Sequence, residues 1–185
     1  MGERKVLERE KAALLIIDFQ EAFRRVIPDF EVIGSRIATA ARGFAILGRP
    51  VYVTQQYPSG LGYTAEEVML CCRENCKVFD KTRFGAGRDA RLLAALEADG
   101  VRQLVICGIE AHICVNQTAH DLLGTNYDVH LLRDAVSSRS HADKLIGIDR
   151  MLASGAVSAS VESALFEMLE DARDPRFRQI QELIK

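Results

Sequence analysis

A three-layer α/β/α sandwich is predicted by three observations along the 185-residue chain. Six short apolar runs alternate with longer segments whose apolar residues recur at three and four positions, and glycines punctuate the joins. The runs are AALLII at 12–17, VYVT at 51–54, KVF at 77–79, QLVIC at 103–107, DVHLL at 128–132 and AVSAS at 156–160. Nearly continuous apolar strands of this kind suit a six-stranded, mostly parallel sheet covered by helices on both faces and joined by right-handed crossovers.

Each element follows in turn. After the first strand, SRIATAARGFAIL (35–47) has helical spacing and stops at Gly48, where a left-handed cap is wanted. Beyond the third strand, RDARLLAALEAD (88–99) is closed in the same way by Gly100. The fourth strand passes through a glycine turn into CVNQTAHDLL (114–123), and the fifth is followed by HADKLIGIDRMLAS (141–154) and Gly155. The segment DPRFRQIQELIK has proline at its first helical turn and apolar residues at Phe177, Ile180, Leu183 and Ile184. It predicts a terminal helix that packs on the domain or on a partner subunit. No repeat, low-complexity tract or Pro- or Ser-rich linker divides the chain, so residues 1–185 are expected to form a single domain.

Composition narrows the functional classes. A domain of this length buries roughly 70% of its unfolded surface, and 48% hydrophobic with 27% charged residues is ordinary globular usage. The net charge of −2 and pI near 6.1 offer no basic footprint for nucleic acid. The N-terminus MGERKVLEREK has no apolar core of signal-peptide length, so a cytoplasmic location is expected. Met1-Gly2 starts like a myristoylation signal, but Val6 stands where Ser or Thr is required, and no run is long enough to span a membrane. Five cysteines is an odd count, which argues for reduced thiols. Cys71, Cys72 and Cys76 lack the paired spacing and histidine partners of a zinc site.

A nucleotide cofactor is not expected. The first strand leads into DFQEAF, which has no glycine to admit a pyrophosphate and opens with a carboxylate that repels one. KTRFGAG is not a phosphate-binding loop of the Walker type, because Lys81 precedes Gly85 and Gly87.

Three reactive side chains fall where apolar strands end. Asp18 follows AALLII, Lys81 follows CKVFD, and Cys114 opens the helix after QLVICGI. Carboxyl ends of strands converge in an open α/β sheet, so an acid, a cation and a thiol share one cleft. A cysteine at a helix N-terminus can have a depressed pKa, and the amides there can hold an oxyanion. Asp18 is suited to take the thiol proton and return it to a leaving amine. Lys81 would keep Asp18 ionised, and Cys114 would carry an acyl intermediate.

These pieces resemble the isochorismatase-like, or cysteine hydrolase, superfamily, which includes nicotinamidases and N-carbamoylsarcosine amidohydrolase. LLIIDFQEAF, KTRFGAG and VICGIEAHICVNQTAHDLLGTNYDVHLLRDAVSSRS carry the likeness in the family's order. QQYPSGLGYTAEEV and CGIEAHIC look most like the isochorismatase domain-containing proteins. The resemblance implies a Rossmann-like fold and a triad of Asp18, Lys81 and Cys114. It also implies a cis peptide between Ile109 and Glu110 whose surroundings let the amides of Glu110 and Cys114 form an oxyanion hole. It further implies a homo-oligomer, a dimer or tetramer, acting on a small-molecule substrate.

Two departures sharpen that reading. Nicotinamidases place an Asp-x-His metal site after the second strand, whereas VTQQYPSGLGY has neither residue there, so no metal is expected. Isochorismatases proper lack the nucleophilic cysteine, so Cys114 moves the expectation toward acyl transfer from amides. Glu110 stands where relatives carry a small or hydroxyl residue. It either faces the site and selects a cationic or hydrogen-bond-donating substrate, or folds away toward Arg83 or Arg139. Phe23, Tyr57, Phe84 and Ile109 are the expected walls of a small pocket. His112 and Cys114, two apart at a turn and helix start, point different ways, which argues against His112 as the base; His120 and His130 are read as structural, and His141 as a surface or capping residue.

Three functions follow from the sequence: an amidohydrolase, a family member detuned into ligand or protein binding by Glu110, and a thiol-based redox protein built on a low-pKa Cys114.

Overall fold

The computed structural model describes residues 6–72 and 76–185; the Met1-Gly2 start lies outside them. Six strands form one sheet: β1 (Ala12–Ile17), β2 (Val51–Gln56), β3 (Cys76–Lys81), β4 (Gln103–Ile109), β5 (Asp128–Ser137) and β6 (Val157–Ala159). Their order is β3-β2-β1-β4-β5-β6, and every strand pairing is parallel. That is the doubly wound order of Rossmann-type sheets. From β1 the chain winds outward through β2 and β3, then returns to the other side of β1 with β4. The strand order therefore reverses beside the carboxyl end of β1, which is where such sheets leave a crevice.

Alternation within each strand sends side chains to two separate cores. Leu14 and Ile16 join one with α1 (Phe30–Ile46), α3 (Glu66–Cys72), α7 (Val161–Leu169) and α8 (Phe177–Ile184). Leu15 and Ile17 join the other with α4 (Ala90–Ala98), α5 (Asn116–Leu123) and α6 (His141–Ala153). The single-turn α2 (Pro58–Leu61) follows β2. All six residues of β1 are fully buried, and removing each Leu or Ile side chain from water contributes about 1.5–3 kcal/mol. The terminal helix packs back on α1 and α7 and buries Ile180. Among the described residues no helix is long and apolar enough to cross a membrane.

Most strands run further toward their carboxyl ends than the apolar runs indicate. β2 continues through Gln55 and Gln56, β3 through Asp80 and Lys81, and β5 through Arg133 and Asp134 to Ser137. The ladder persists because these polar side chains find partners. Gln55 Nε2 donates to Asp80 Oδ1 (2.9 Å), and the Asp134 carboxylate accepts the Val161 amide at the start of α7 (3.0 Å). β6 is shorter than expected, three residues only.

Gly108 lets β4 approach β1. Its φ is +116°, and a Cβ there would stand 2.0 Å from the Ile17 carbonyl oxygen, so no other residue fits.

Candidate active site

Asp18 leaves β1 with φ 49°, a left-handed conformation uncommon outside glycine and characteristic of strained functional positions. Its amide donates to the Thr54 carbonyl (3.1 Å), and its own carbonyl accepts from the Gln20 amide (2.8 Å). The turn so fixed points the carboxylate across the carboxyl end of β2. There Oδ1 accepts from Thr54 Oγ1 (2.8 Å), and Oδ2 accepts from Lys81 Nζ (2.6 Å).

Lys81 is the last residue of β3, and its side chain is as inaccessible as that of Asp18, 4% and 1% exposed. A buried ammonium needs a full set of acceptors. Besides Asp18, Nζ reaches Gln56 Oε1 (2.7 Å) and the carbonyls of Phe84 (2.9 Å) and Arg83 (3.1 Å). Gln56 is itself oriented, donating from Nε2 to the Thr82 carbonyl (2.8 Å) while its amide donates to Gln20 Oε1 (2.7 Å). Gln20 Nε2 completes the frame on the carbonyls of Gln56 (3.0 Å) and Gly62 (2.6 Å).

Gln20, Thr54, Gln56 and Thr118 escaped the sequence reading. The signal for two of them was the run Thr54-Gln55-Gln56, polar residues continuing an apolar strand at the sheet end where Asp18 also emerges.

Cys114 lies in a π-helical turn, Ala111–Val115, that leads into α5. π-turns are rare and frequent at functional sites. The peptide bond between Ile109 and Glu110 is cis. The Glu110 carbonyl accepts the amides of Ile113 (3.0 Å) and Val115 (3.2 Å), which flank Cys114 in the chain. Thr118 Oγ1 donates to the Cys114 carbonyl (2.7 Å) and accepts from the Ala86 amide (3.0 Å), tying the thiol-bearing turn to the loop that holds Lys81. From the other side, α6 presses Gly147 against the turn, where a Cβ would stand 2.6 Å from the Ala111 carbonyl oxygen. Asn116 Nδ2 donates to the Gly147 carbonyl (3.1 Å).

The structure brings Asp18, Lys81 and Cys114 together. Asp18 is bonded to Lys81, and both charges lie close enough to the Cys114 thiol to act on its pKa. Helix-start geometry alone predicts a depressed thiol pKa, and here the direction is opposite. Burial pushes the Cys114 thiol far above its ordinary value, and the Asp18 charge adds to this; Lys81 opposes, and Glu110 raises it further by a smaller amount. With Cys114 only 8% exposed beside a carboxylate, the resting group is a neutral thiol.

Of the two orientations open to Glu110, the structure has the one toward Arg139. Glu110 Oε1 accepts both the Arg139 amide and Arg139 Nε, each at 3.0 Å. The pocket residues separate likewise. Ile109 is fully buried in the core beneath α1, so only its backbone borders the site, and Phe23 packs partly buried against the same core. Tyr57 is 54% exposed and lines a cleft of about 690 Å³ with Lys81, Arg83 and Tyr63. Phe84, equally exposed, lines a second depression with Asn116 and Gln117. The two meet along the 82–88 loop, and Cys114 lines neither.

The histidines are structural in their contacts. His112 Nδ1 is 2.9 Å from Ser138 Oγ, and His120 sits between the Asn116 carbonyl (2.7 Å) and Ser154 Oγ (3.0 Å). His130 is buried in β5, and His141 opens α6. Among the described residues no group of three His, Cys, Asp or Glu side chains is placed to hold a metal ion.

A doubly wound parallel sheet with an acid, a lysine and a cysteine gathered at its switch point defines an α/β domain of the Rossmann-like class. The Isochorismatase domain model matches residues 12–163, and the chain belongs to that family. It is 40% identical over 171 residues to isochorismatase domain-containing protein 1 of Danio rerio, covering 91% of this chain and 59% of that protein's length. Isochorismatase domain-containing protein 2 of the same fish is 36% identical, with 96% and 89% covered. A solved structure titled MAR1 ribonuclease from Caenorhabditis elegans superposes with a TM-score of 0.92 at 35% identity, covering 97% of this chain and 92% of that one.

Proposed function

We propose that this chain is a cysteine hydrolase that cleaves a small amide or related carbonyl substrate through a thioester on Cys114. The observation that carries the reading is the position of Asp18, bonded to Lys81 Nζ and near enough to the Cys114 thiol for its charge to act on it. Lys81 aims the carboxylate through their 2.6 Å contact. As the thiol attacks the carbonyl carbon, Asp18 takes its proton, so no standing thiolate is required. The tetrahedral oxyanion is received by the amides of Glu110 and Cys114. Asp18 then protonates the leaving amine, and water enters by the reverse sequence to release the acid. Tyr57 and Phe84 are the proposed walls on either side of the 82–88 loop.

Glu110 weakens the binding-only alternative, because one carboxylate oxygen is already committed to Arg139. A redox role for Cys114 depends on a lowered pKa, and burial acts the other way. A homo-oligomer and a cytoplasmic location remain part of the proposal, on the family resemblance and the N-terminal composition.

The test is a panel of primary amides and carbamoyl compounds assayed for ammonia release, with intact mass read for an acyl adduct. Turnover that disappears in Cys114→Ser, with an adduct on Cys114, supports the reading. An RNA oligonucleotide is included because of the activity named for the C. elegans structure, and its cleavage by Cys114→Ser protein while the amides stay intact overturns it.

A further inference from the structure

The cysteine group at 71, 72 and 76 takes no part in the site above. We infer that Cys72 and Cys76 form a peroxide-oxidisable pair that closes reversibly into a disulfide between the end of α3 and the start of β3. Cys72 is the last residue of α3, and Cys76 is the first of β3. Both side chains rest on the same core, near enough for each thiol to shift the other's titration. Cys76 is half-buried and open to a small oxidant, whereas Cys72 is 2% exposed and held behind it. Cys71 and Cys72 each reach back to their own helix, with Sγ 3.1 Å from the Glu67 carbonyl oxygen and 2.8 Å from that of Val68, and it is Cys72 whose titration is tied to that of Cys76.

The nearness of the two thiols also divides the work. The neighbouring Cys72 draws Cys76 below its ordinary value, which favours its thiolate, while Cys76 and burial together keep Cys72 protonated. The Cys76 thiolate attacks one oxygen of a peroxide, the O–O bond breaks, hydroxide or alkoxide leaves, and a sulfenic acid remains. Cys72 sulfur then attacks Cys76 sulfur; the S–S bond forms, the S–O bond breaks, and the Cys72 proton departs with the hydroxyl as water. Two electrons pass from the thiols to the peroxide, and a thiol reductant returns them. β3 carries Lys81 at its opposite end, five residues or about 17 Å away, so the pair stands apart from the triad.

The experiment uses full-length protein carrying Cys114→Ser, exposed to hydrogen peroxide and mapped by mass without reduction. The expected result is loss of two hydrogens from peptides joining Cys72 to Cys76, restored by dithiothreitol. Adding Cys72→Ala should leave an oxygen on Cys76 that dimedone traps. Should that variant fail to fold, alkylation of the Cys72-intact protein must show both thiols disappearing in step. Oxidation of Cys71 with Cys76 still a free thiol, or Cys76 reaching sulfinic acid while Cys72 stays reduced, overturns the inference.

Discussion

One oxygen of Glu110 receives both the backbone amide and the guanidinium Nε of Arg139, at 3.0 Å each. The contact fastens the turn that bears Cys114 to the loop after β5, and His112 repeats the link on Ser138 at 2.9 Å. Glu110→Ala leaves the Arg139 amide without that acceptor and should cost about 1–3 kcal/mol. Glu110→Gln keeps a carbonyl oxygen in place and should cost less. Because the Glu110 charge also raises the Cys114 pKa, both variants should alkylate faster at Cys114 than the parent. Urea midpoints and iodoacetamide kinetics read the two effects separately. Equal stability of the Ala and Gln variants contradicts the staple.

The Asp18–Lys81 pair is buried, so removing one partner is expensive. Lys81→Met strands the carboxylate and should destabilise by about 3–5 kcal/mol. Asp18→Asn retains an acceptor for Thr54 and Lys81 but no longer takes a proton, and should lower turnover by about 10²–10⁴. Thermal melts should therefore separate the two variants, while activity falls in both. Full turnover in the Asp18→Asn protein removes Asp18 from the proposed chemistry.

A thiol whose pKa is raised on folding makes stability depend on pH in a defined direction. Below about 8.5, the ordinary thiol value, folded and unfolded chains both carry Cys114 protonated. Above it the unfolded chain ionises while the buried thiol does not, so stability falls progressively as pH rises toward the folded-state pKa. The melting temperature of the parent relative to Cys114→Ser should accordingly drop between roughly pH 8.5 and 10. A difference that is flat over that window, or grows, means the thiol is not held protonated.

The sheet and the nearness of Asp18, Lys81 and Cys114 were legible for the same reason. Asp18 and Lys81 break apolar patterns at strand ends, and Cys114 follows a glycine-bearing strand into a helix, so each interrupts a period that the core imposes. The direction of the Cys114 pKa was not legible, because it depends on burial and on a carboxylate 96 positions away in the chain brought beside it by the β1–β4 pairing. Gln20 and Gln56 were missed for a related reason. Their roles arise from the left-handed turn at Asp18 and from the return of the chain at Gly62, neither of which a local pattern encodes. β5 looked short because Arg133 and Asp134 interrupt its apolar run, although Asp134 is spent on the start of α7.

Two glycines give a final contrast between fold and site. At Gly108 an added methyl meets the Ile17 backbone at 2.0 Å, with φ +116°, at the last pair of the β1–β4 ladder. Neither strand can retreat without breaking the central ladder, so Gly108→Ala should abolish soluble expression. A Cβ added at Gly147 would stand 2.7 and 2.6 Å from the Ala111 carbonyl carbon and oxygen and 2.8 Å from the His112 Cα, on a helix packed against the second core. Here α6 and the π-turn must part until all three backbone contacts open beyond 3.0 Å, which a helix outside the central ladder can do at a cost of about 1–3 kcal/mol or more for overpacking. The displaced turn carries Cys114, and a small misplacement at a reacting centre can cost about 10²-fold. Gly147→Ala should therefore lose far more amide turnover than stability, a disproportion measurable by pairing urea midpoints with the ammonia assay. Losses that match in size place Gly147 with Gly108, as a requirement of packing alone.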